Sequence, residues 1–390
     1  MTINRIRLKE IDDTSRYGYP RKTIEIKTRE GDVLTPTRVI SNHEYTQKEI
    51  VPTDITIGGK VSLFVERFGY DKLKKFLTED SPYQRLFDRM RIQNERAQHS
   101  FINIALLKPT ATKNTDKKTS LDILKIPSKR EKFFRTTIQL QKLLHFDPIS
   151  IAIPDLPISE VKKLMRETKK EIEKDNHSCM FFFDLGQKFP VLLDYTVNDL
   201  DLQLIGINYK RFTSAVHSYD AMRSYSNKDV AFLVANTKRE DGYFDDLSTM
   251  HYMPFLSNDL FASFVPTPSF GDFGEQSPSQ KLSRVKLFNR KQLTIDKISK
   301  DSLDVDEILK QIGRPNEYTL RSMLQNFEEA AKSKDNTKLD RLKAFTKVHE
   351  AKTSLREFET LRKHIKEGST KDYVEQENKK ILKNVISRIK

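Results

Sequence analysis

Short apolar runs alternate with polar, helix-patterned segments through the middle of the chain. The runs are ISIAI at 149–153, CMFFF at 179–183, LQLIGI at 202–207 and VAFLVA at 230–235. Runs this short and continuously apolar are typical of strands buried on both faces of a parallel sheet. Their spacing of roughly 25–30 residues leaves room for one helix between successive strands. We therefore predict an α/β fold, with a (β/α)8 TIM-type barrel as the first choice and a doubly wound sheet as the alternative.

The two ends of the chain carry different patterns. TIEIK at 23–27 and TRVI at 37–40 flank a turn-rich segment, which predicts an N-terminal antiparallel hairpin. After residue 300, apolar residues recur at helical spacing, which predicts a C-terminal helical region. We place a barrel domain at 1–275 and a basic, mainly helical part at 276–390. The second part would complete the barrel and offer a surface to a partner or a nucleic acid.

The basic residues are concentrated in two blocks. The 390-residue chain has 69 Lys and Arg against 55 Asp and Glu, a net charge of +14. Residues 60–135 hold 18 basic and 9 acidic residues, and residues 281–390 hold 27 and 17. Such blocks suit a polyanionic partner, although lysine-rich helix faces can also be simply solvated. The residues that we single out as nucleic-acid contacts are Lys129, Arg130, Lys132, Arg284, Lys286, Arg290 and Lys291.

Several protein classes are excluded by what the sequence lacks. No run of about 18 apolar residues exists, and the first residues have no apolar core of the signal-peptide kind, so we expect a cytoplasmic protein with no membrane partner. Cys179 is the single cysteine, which rules out an internal disulfide and a cysteine-based zinc cluster. The eight histidines are dispersed, and no phosphate-loop or dinucleotide fingerprint occurs. We expect neither a metal nor a cofactor.

Four longer segments occur in an order that is found in one enzyme family. They are TDITIGGKVSL at 53–63, FFRTTIQLQKLLHFDPISIAIPD at 133–155, NDLFASFVPTP at 258–268 and HEAKTSLREFETLRKHIKEGSTKDY at 349–373. Together with the opening TIEIKTREGDVLTP, they resemble the tRNA-guanine transglycosylases (queuine and archaeosine tRNA-ribosyltransferases). This resemblance spans nearly the whole chain and implies a (β/α) barrel that exchanges guanine in RNA for a 7-deazaguanine. It also implies a dimer, since family members pair with a second copy or with a non-catalytic subunit.

The chain departs from this family at the residues that carry the chemistry. In the family a carboxylate attacks the ribose C1′ and guanine leaves, but the position that aligns with this nucleophile is Ala262. The arginine that closes the same motif is Pro268 here. The stretch expected to hold a second aspartate, FINIALLKP at 101–109, contains no carboxylate. Among the family's zinc ligands, only the histidine has a counterpart in this chain, which is His349. The resemblance therefore implies a barrel without the covalent machinery and without the metal.

Polar residues at the ends of the predicted strands are candidates for a base pocket. Asp155 aligns with the family's base-binding aspartate, and a carboxylate matches the two-donor edge of guanine; helix capping is its alternative role. Asp184, Asn208 and Asn236 each directly follow an apolar run. In a barrel these positions line the catalytic face; the alternative is that they are polar residues that cap loops. We assign base binding to Asp155 and Asn208. Asp184 and Asp259 are weak candidates for a substitute nucleophile, and a structural role suits Asp259 better.

These observations leave three hypotheses. The first is a nucleic-acid-binding, non-catalytic or accessory subunit in 7-deazaguanine base exchange, which binds tRNA or another nucleic acid as a homodimer or beside a catalytic transglycosylase. The second is an active tRNA or DNA transglycosylase with a displaced carboxylate nucleophile. The third discards the resemblance and takes the protein as a basic scaffold without a base pocket.

Overall fold

A three-stranded antiparallel sheet opens the chain. The computed structural model describes residues 3–13, 18–50, 59–111, 116–237, 249–263, 286–290, 292–297, 337–376 and 379–389. The first sheet contains β1 (Ile3–Ile11), β2 (Lys22–Thr28) and β3 (Asp32–Leu34) in that order. The predicted hairpin therefore has the wrong second strand, because β2 pairs with β1 and β3 rather than with residues 37–40.

The next eight strands form one all-parallel sheet that curls into a nearly closed barrel. They are β4 (Thr37–Ser41), β5 (Val61–Phe68), β6 (Ile102–Pro109), β7 (Ile149–Ala152), β8 (Cys179–Asp184), β9 (Leu204–Asn208), β10 (Ala231–Thr237) and β11 (Leu260–Ser263). Around the sheet they follow one another in chain order, with β6 and β7 at its two edges. At these edges the Ser150 hydroxyl donates to the Ala105 carbonyl, which brings β7 against β6. The predicted barrel is thus confirmed, and the doubly wound alternative is wrong because the strand order has no reversal.

β4 shows why the hairpin prediction failed. All five residues of TRVIS are buried, as suits a strand covered on both faces rather than the exposed arm of a hairpin. Arg38 and Val39 pair in parallel with β11, and Ile40 pairs with Ser62 of β5. The two segments of the predicted hairpin are therefore both strands, but they belong to two different sheets: β2 to the antiparallel sheet and β4 to the barrel.

Helices cover the outside of the barrel. They are α1 (Asn42–Ile50), α2 (Tyr70–Thr78), α3 (Asp80–Arg96), α4 (Ser120–Leu124), α5 (Pro127–Leu143), α6 (Ile158–Glu173), α7 (Phe189–Asp194), α8 (Phe212–His217), α9 (Tyr219–Arg223), α10 (Thr249–Tyr252), α11 (Thr337–Lys366), α12 (Thr370–Glu375) and α13 (Lys380–Ile389). A π-helical turn, Tyr195–Asp199, and a 3-10 turn, Met253–Leu256, complete them, and β12 (Lys286–Asn289) pairs with β13 (Thr294–Lys297) as a hairpin. In the described part of the chain, no helix has both the length and the apolar character needed to cross a membrane.

Side chains alternate between two apolar layers along the barrel strands. On β8, Phe181 and Phe183 belong to the layer between strands and helices, whereas Met180 and Phe182 belong to the barrel interior. Gly206 of β9 allows the Phe182 ring to fill this interior, because a Cβ at that position would lie 2.4 Å from the ring. The barrel is therefore a packed core, and space for a ligand remains at the strand ends.

A buried ion cluster attaches the long helix α11 to the barrel. Arg38 of β4 is 1 % exposed, and its guanidinium contacts the Glu44 carboxylate. The same guanidinium donates to the Ser354 hydroxyl at 2.9 Å and lies 3.7 Å from the Glu350 carboxylate. Burial raises the pKa of Glu350, but Lys347 and Arg38 outweigh this effect and lower the pKa to about 2. The cluster holds β4, α1 and α11 together through one cation and two carboxylates.

Candidate functional site

A pocket of about 700 Å³ opens at the carboxyl ends of the barrel strands. It lies over β5 to β10 and the segments that follow them, and its size is typical of small-molecule sites. Because all eight strands run in the same direction, their last residues and the following loops meet at this face, where barrels place their sites. The four residues considered for a base pocket all line it: Asp155, Asp184, Asn208 and Asn236.

Six polar side chains line the pocket as one connected set, which we call the inner polar network. They are Arg67, Lys108, Asp184, Asn208, Lys210 and Asn236. The Arg67 guanidinium donates to the Asn236 amide oxygen at 2.6 Å, and the Asn236 amide nitrogen donates to the Asn208 oxygen at 2.6 Å. Asn208 in turn donates to the Asp184 carboxylate at 2.7 Å. Because a guanidinium only donates and a carboxylate only accepts, the two amides between them have one consistent orientation.

A bulge in β10 directs Asn236 into this network. Val234 pairs with Phe261 and Thr237 pairs with Ser263, so two residues of β10 oppose one residue of β11. Asn236 has a φ of +65°, a left-handed conformation that asparagine adopts more readily than most residues. The bulge breaks the alternation of the strand and lets Asn236 reach the pocket, although the residue before it also belongs to the barrel interior.

Three cations and one carboxylate make the inner polar network electropositive. Lys108 contacts one carboxylate oxygen of Asp184, and the Lys210 ammonium lies 2.8 Å from the other. Burial raises the pKa of Asp184, but the two lysines outweigh it and hold the pKa below its usual value. Burial lowers the pKa of Lys108, Asp184 opposes this, and the charges of Lys210 and Arg67 add to the lowering. Asp184 is therefore ionised, and among these six side chains three cations stand against one carboxylate.

Asp155 and Lys188 form a second, outer pair in the pocket wall. The Lys188 ammonium lies 2.6 Å from Asp155 Oδ1 and also donates to the Leu156 carbonyl at 3.0 Å. Asp155 is 76 % exposed, and within the described residues its Oδ2 accepts no hydrogen bond. Helix α6 begins after Pro157 without a side-chain cap, so Asp155 does not have the capping role considered for it. Its second carboxylate oxygen is available to a ligand in the pocket.

The two further positions considered for a nucleophile lie outside this pocket. Ala262 is fully buried in the barrel interior, and its carbonyl accepts a hydrogen bond from the Thr237 hydroxyl at 2.7 Å. Asp259 lies just before β11, at the opposite, amino-terminal face of the barrel. Its carboxylate accepts from the Phe232 amide at 2.9 Å and lies 3.7 Å from the Lys22 ammonium. Asp259 therefore lies at the other end of the barrel from the pocket and cannot act in it. It has the structural role considered for it.

Three of the basic residues considered for nucleic-acid contact lie on the first turns of α5. This helix follows β6, so it begins at the same face of the barrel as the pocket. Lys129 and Lys132 are exposed there. Arg130 lies beside them, half-buried, with its guanidinium 3.4 Å from the Glu160 carboxylate of α6. The two lysines extend the positive charge of the pocket onto the surface.

Of the C-terminal group of basic residues, the structure describes the side chain of Arg290. Arg290 follows β12, and its guanidinium lies 2.9 Å from the Glu357 carboxylate of α11, which also accepts from the Lys379 ammonium at 2.6 Å. In the structure this arginine joins the hairpin to α11, and its contact with a nucleic acid stays a prediction. Arg284 and Lys291 lie outside the described residues, as does the side chain of Lys286.

His349, which aligns with a zinc ligand of the family, is a core residue. It is 1 % exposed, and burial lowers its pKa to about 4. Across the stretches that the structure describes, no three His, Cys, Asp or Glu side chains stand together as potential metal ligands. Cys179 is likewise buried, and burial raises the pKa of its thiol, so it is a packed rather than a reactive cysteine.

The cations of the pocket were not found by sequence reasoning. They are Arg67, Lys108, Lys188 and Lys210. The stretch FINIALLKP lacks a carboxylate, as noted, but its Lys108 closes an apolar strand and contacts Asp184. Arg67 closes the preceding strand in the same way. A basic residue at the end of an apolar run is therefore a signal of the same kind as the aspartate and asparagine that were recognised.

Comparison with known proteins gives no family for this chain. It matches no protein-family model, and no curated protein is significantly similar to it in sequence. The resemblance to transglycosylases thus remains a hypothesis, and the geometry of the pocket is the evidence that bears on function.

Proposed function

We propose that the protein is a transglycosylase-like, nucleic-acid-binding protein that holds a guanine-type base in the carboxyl-end pocket without exchanging it. It would act as a non-catalytic or accessory subunit in 7-deazaguanine base exchange, either as a homodimer or beside a catalytic transglycosylase. The observation that carries the proposal is the pocket, which combines an available carboxylate oxygen with several hydrogen-bond donors. The same observation disfavours a scaffold without a base pocket.

The outer pair of the pocket suits the edge of guanine that carries two donors. The N1–H and 2-amino groups of guanine donate, and its O6 accepts. Asp155 Oδ2 is an acceptor for these donors, and Lys188, whose ammonium lies 2.6 Å from Oδ1, supplies a cation beside them. Adenine has an acceptor at N1, which a carboxylate would repel. The arrangement therefore favours guanine and 7-deazaguanines over adenine.

The carboxylates of the site support binding rather than base exchange. A covalent exchange needs an ionised carboxylate free to attack the ribose carbon. Ala262 offers a methyl group, and that group is buried in the barrel interior. Asp184 is ionised, but its two oxygens interact with two lysines and one asparagine, which stabilise the charge and reduce its nucleophilicity. Its role in this proposal is to position the cations around it.

The size of the pocket and the position of α5 fit a nucleic-acid ligand. A volume of about 700 Å³ admits a nucleotide but not a nucleic-acid helix, so a base in a structured nucleic acid would have to leave its stack to enter. Lys129 and Lys132 are exposed on the same face and can neutralise phosphates next to such a base. Sequence-independent phosphate contact would then deliver the strand, and the pocket would select the base.

The proposal predicts salt-sensitive binding without base exchange. Purified protein incubated with radiolabelled guanine and bulk tRNA, or with duplex DNA in parallel, should incorporate no label above a heat-killed control. Filter binding of the same tRNA should weaken steeply as salt rises, because phosphate contacts release counterions. Replacing Lys129 and Lys132 together by glutamate should weaken binding by at least about tenfold.

The matched control is Arg91→Glu. Arg91 is 51 % exposed near the end of α3, which leads back to the amino-terminal face of the barrel, so this charge reversal should leave binding nearly unchanged. Label incorporation that needs the native protein would contradict the non-catalytic role. Absence of tRNA and DNA binding at low salt would contradict the nucleic-acid role.

An active transglycosylase is the second candidate, and the ionised Asp184 inside the pocket is the observation that favours it. In that case Asp184 would attack the ribose C1′ and release the base, and the sugar would remain bound to its carboxylate until the new base attacked. A denaturation-resistant protein–nucleic acid adduct that disappears in Asp184→Asn would support this candidate. Its absence under conditions of tight binding would favour the first.

A further inference from the structure

The inner polar network contains more positive charge than its own carboxylate neutralises. Lys108 and Lys210 both use the one carboxylate of Asp184. Arg67 reaches the same network through the neutral amides of Asn236 and Asn208. Burial lowers the pKa of Lys108, Asp184 opposes this, and the charges of Lys210 and Arg67 add to the lowering. Such a cluster is stabilised by an anion that enters from solvent.

We infer that the inner polar network is a subsite for a phosphate dianion, so that the ligand of the pocket is a nucleotide with a terminal phosphate. Three cations stand against one carboxylate among the six side chains of the network, which favours an anion with more than one negative charge, such as a phosphomonoester. Lys108 and Lys210 each have three N–H donors and direct one of them at Asp184, which leaves two on each for phosphate oxygens. Lysine is a common phosphate ligand that acts as a point charge.

A terminal phosphate fits this subsite better than the phosphodiester inside a strand. The diester has a single negative charge and two non-bridging oxygens, so it would leave one cation of the network uncompensated and fewer acceptors for the lysine donors. The terminal group has three such oxygens. A free nucleoside monophosphate and the 5′-phosphorylated end of a strand carry the same group, and the subsite recognises that shared chemistry.

The subsite lies in the same pocket as Asp155 and Lys188, and the volume of about 700 Å³ accommodates a whole nucleotide. The base would contact the outer pair while the phosphate enters the inner polar network. The identity of the base in this inference rests on the proposed function, whereas the phosphate subsite rests on the charges of the network alone. The two parts can therefore fail separately.

Titration calorimetry with four ligands tests the subsite. They are guanosine, guanosine 5′-monophosphate, adenosine 5′-monophosphate and a guanosine dinucleotide whose phosphate is an internal diester. We expect guanosine 5′-monophosphate to bind at least about tenfold more tightly than guanosine, with a clearly smaller gain for the diester. Comparing the monophosphate with a 5′-phosphorylated oligonucleotide then distinguishes the two sources: tighter binding of the oligonucleotide identifies a strand end, and equal or weaker binding identifies a free nucleotide.

Lys210→Met is the decisive variant, because Lys210 is 55 % exposed and its loss leaves Asp184 paired with Lys108. This variant should lose the tenfold gain from the phosphate and keep the guanosine affinity within about twofold. Lys108→Met should do the same and serves as the second variant. Lys74→Met replaces an exposed lysine of α2 that does not line the pocket, and it should change neither affinity.

The outcomes separate the subsite from the proposed function. If guanosine binds and the monophosphate adds nothing, the subsite is refuted and the base pocket stands. If both monophosphates bind equally well and guanosine does not bind, the subsite stands and the preference for guanine is refuted. A gain from phosphate that survives in both lysine variants would also refute the subsite.

Discussion

Replacement of Arg38 by methionine is expected to lower the free energy of unfolding by about 3–5 kcal/mol, because it removes the cation that contacts the buried Glu44 carboxylate and leaves Glu350 with Lys347 alone. Glu44 is 1 % exposed and Glu350 is 7 % exposed, so water cannot solvate either charge. The pKa of Glu350 should rise once Arg38 is gone, because burial raises it and Lys347 is then the main charge that opposes this effect. Urea denaturation followed by circular dichroism at pH 7 measures the loss.

Two further variants isolate the cause of this effect. Adding Glu44→Gln to Arg38→Met should recover part of the lost stability, because the buried carboxylate that has lost its cation is removed. Arg91→Met removes an exposed cation that lies 2.8 Å from Glu95 on the same helix, and it should change stability by no more than about 0.5 kcal/mol. A loss below about 1 kcal/mol for Arg38→Met would show that the cluster does not hold α11 to the barrel.

Ala262→Asp is expected to destabilise the barrel by at least about 3 kcal/mol at pH 8 and to restore no base exchange. The methyl group of Ala262 is fully buried among apolar side chains, so a carboxylate there would have no water and no cation. Its folded-state pKa would be raised above the unfolded value of about 4. The part of the destabilisation that comes from ionisation is therefore absent below about pH 4 and grows as the pH rises, in addition to the pH-independent cost of burying the neutral carboxyl group. Denaturation midpoints at pH 5 and pH 8, with the guanine-exchange assay in parallel, measure both effects.

Ala262→Asn is the matched control, because the amide has the same shape and cannot ionise. It should cost about 1–3 kcal/mol and show no additional dependence on pH between 5 and 8. Guanine exchange by a folded Ala262→Asp protein would contradict the placement of Ala262 below the pocket. It would instead mean that a single substitution separates this chain from an active enzyme of the family that it resembles.

The sequence predicted the four barrel strands whose apolar runs are continuous and missed two barrel strands that carry charged residues near their ends. ISIAI, CMFFF, LQLIGI and VAFLVA became β7 to β10 because continuous apolar runs suit burial on both faces. β5 and β6 were not recognised as strands: VSLFVERF of β5 contains Glu66 and Arg67 near its end. Charged residues at the end of a strand resemble a loop in the sequence. In a barrel, however, the carboxyl ends of the strands form the face on which the site lies.

The candidate site could be predicted only where topology alone determines position. Asp184, Asn208 and Asn236 follow strands, and parallel strands bring their ends together whatever the details of packing. The hydrogen bonds between them could not be foreseen, because Asn236 reaches the network through a bulge and Arg67 reaches it from β5, which lies three strands away around the barrel. Asp259 shows the converse, since its sequence neighbourhood gave no sign that it lies at the amino-terminal face.

The most direct test of the central claim, that the pocket holds a guanine-type base on Asp155, is calorimetric titration of wild-type protein and Asp155→Asn with guanosine, inosine and adenosine. We expect wild-type protein to bind guanosine most tightly, inosine less tightly for lack of the 2-amino donor, and adenosine weakest. Asp155→Asn should weaken guanosine binding by at least about tenfold, because a charged acceptor is lost. The control is Asp175→Asn, which removes the ion pair between Asp175 and Lys142 at the other face of the barrel. It should bind as wild type does. Equal affinity for the three nucleosides, or guanosine binding unchanged in Asp155→Asn, would contradict the claim.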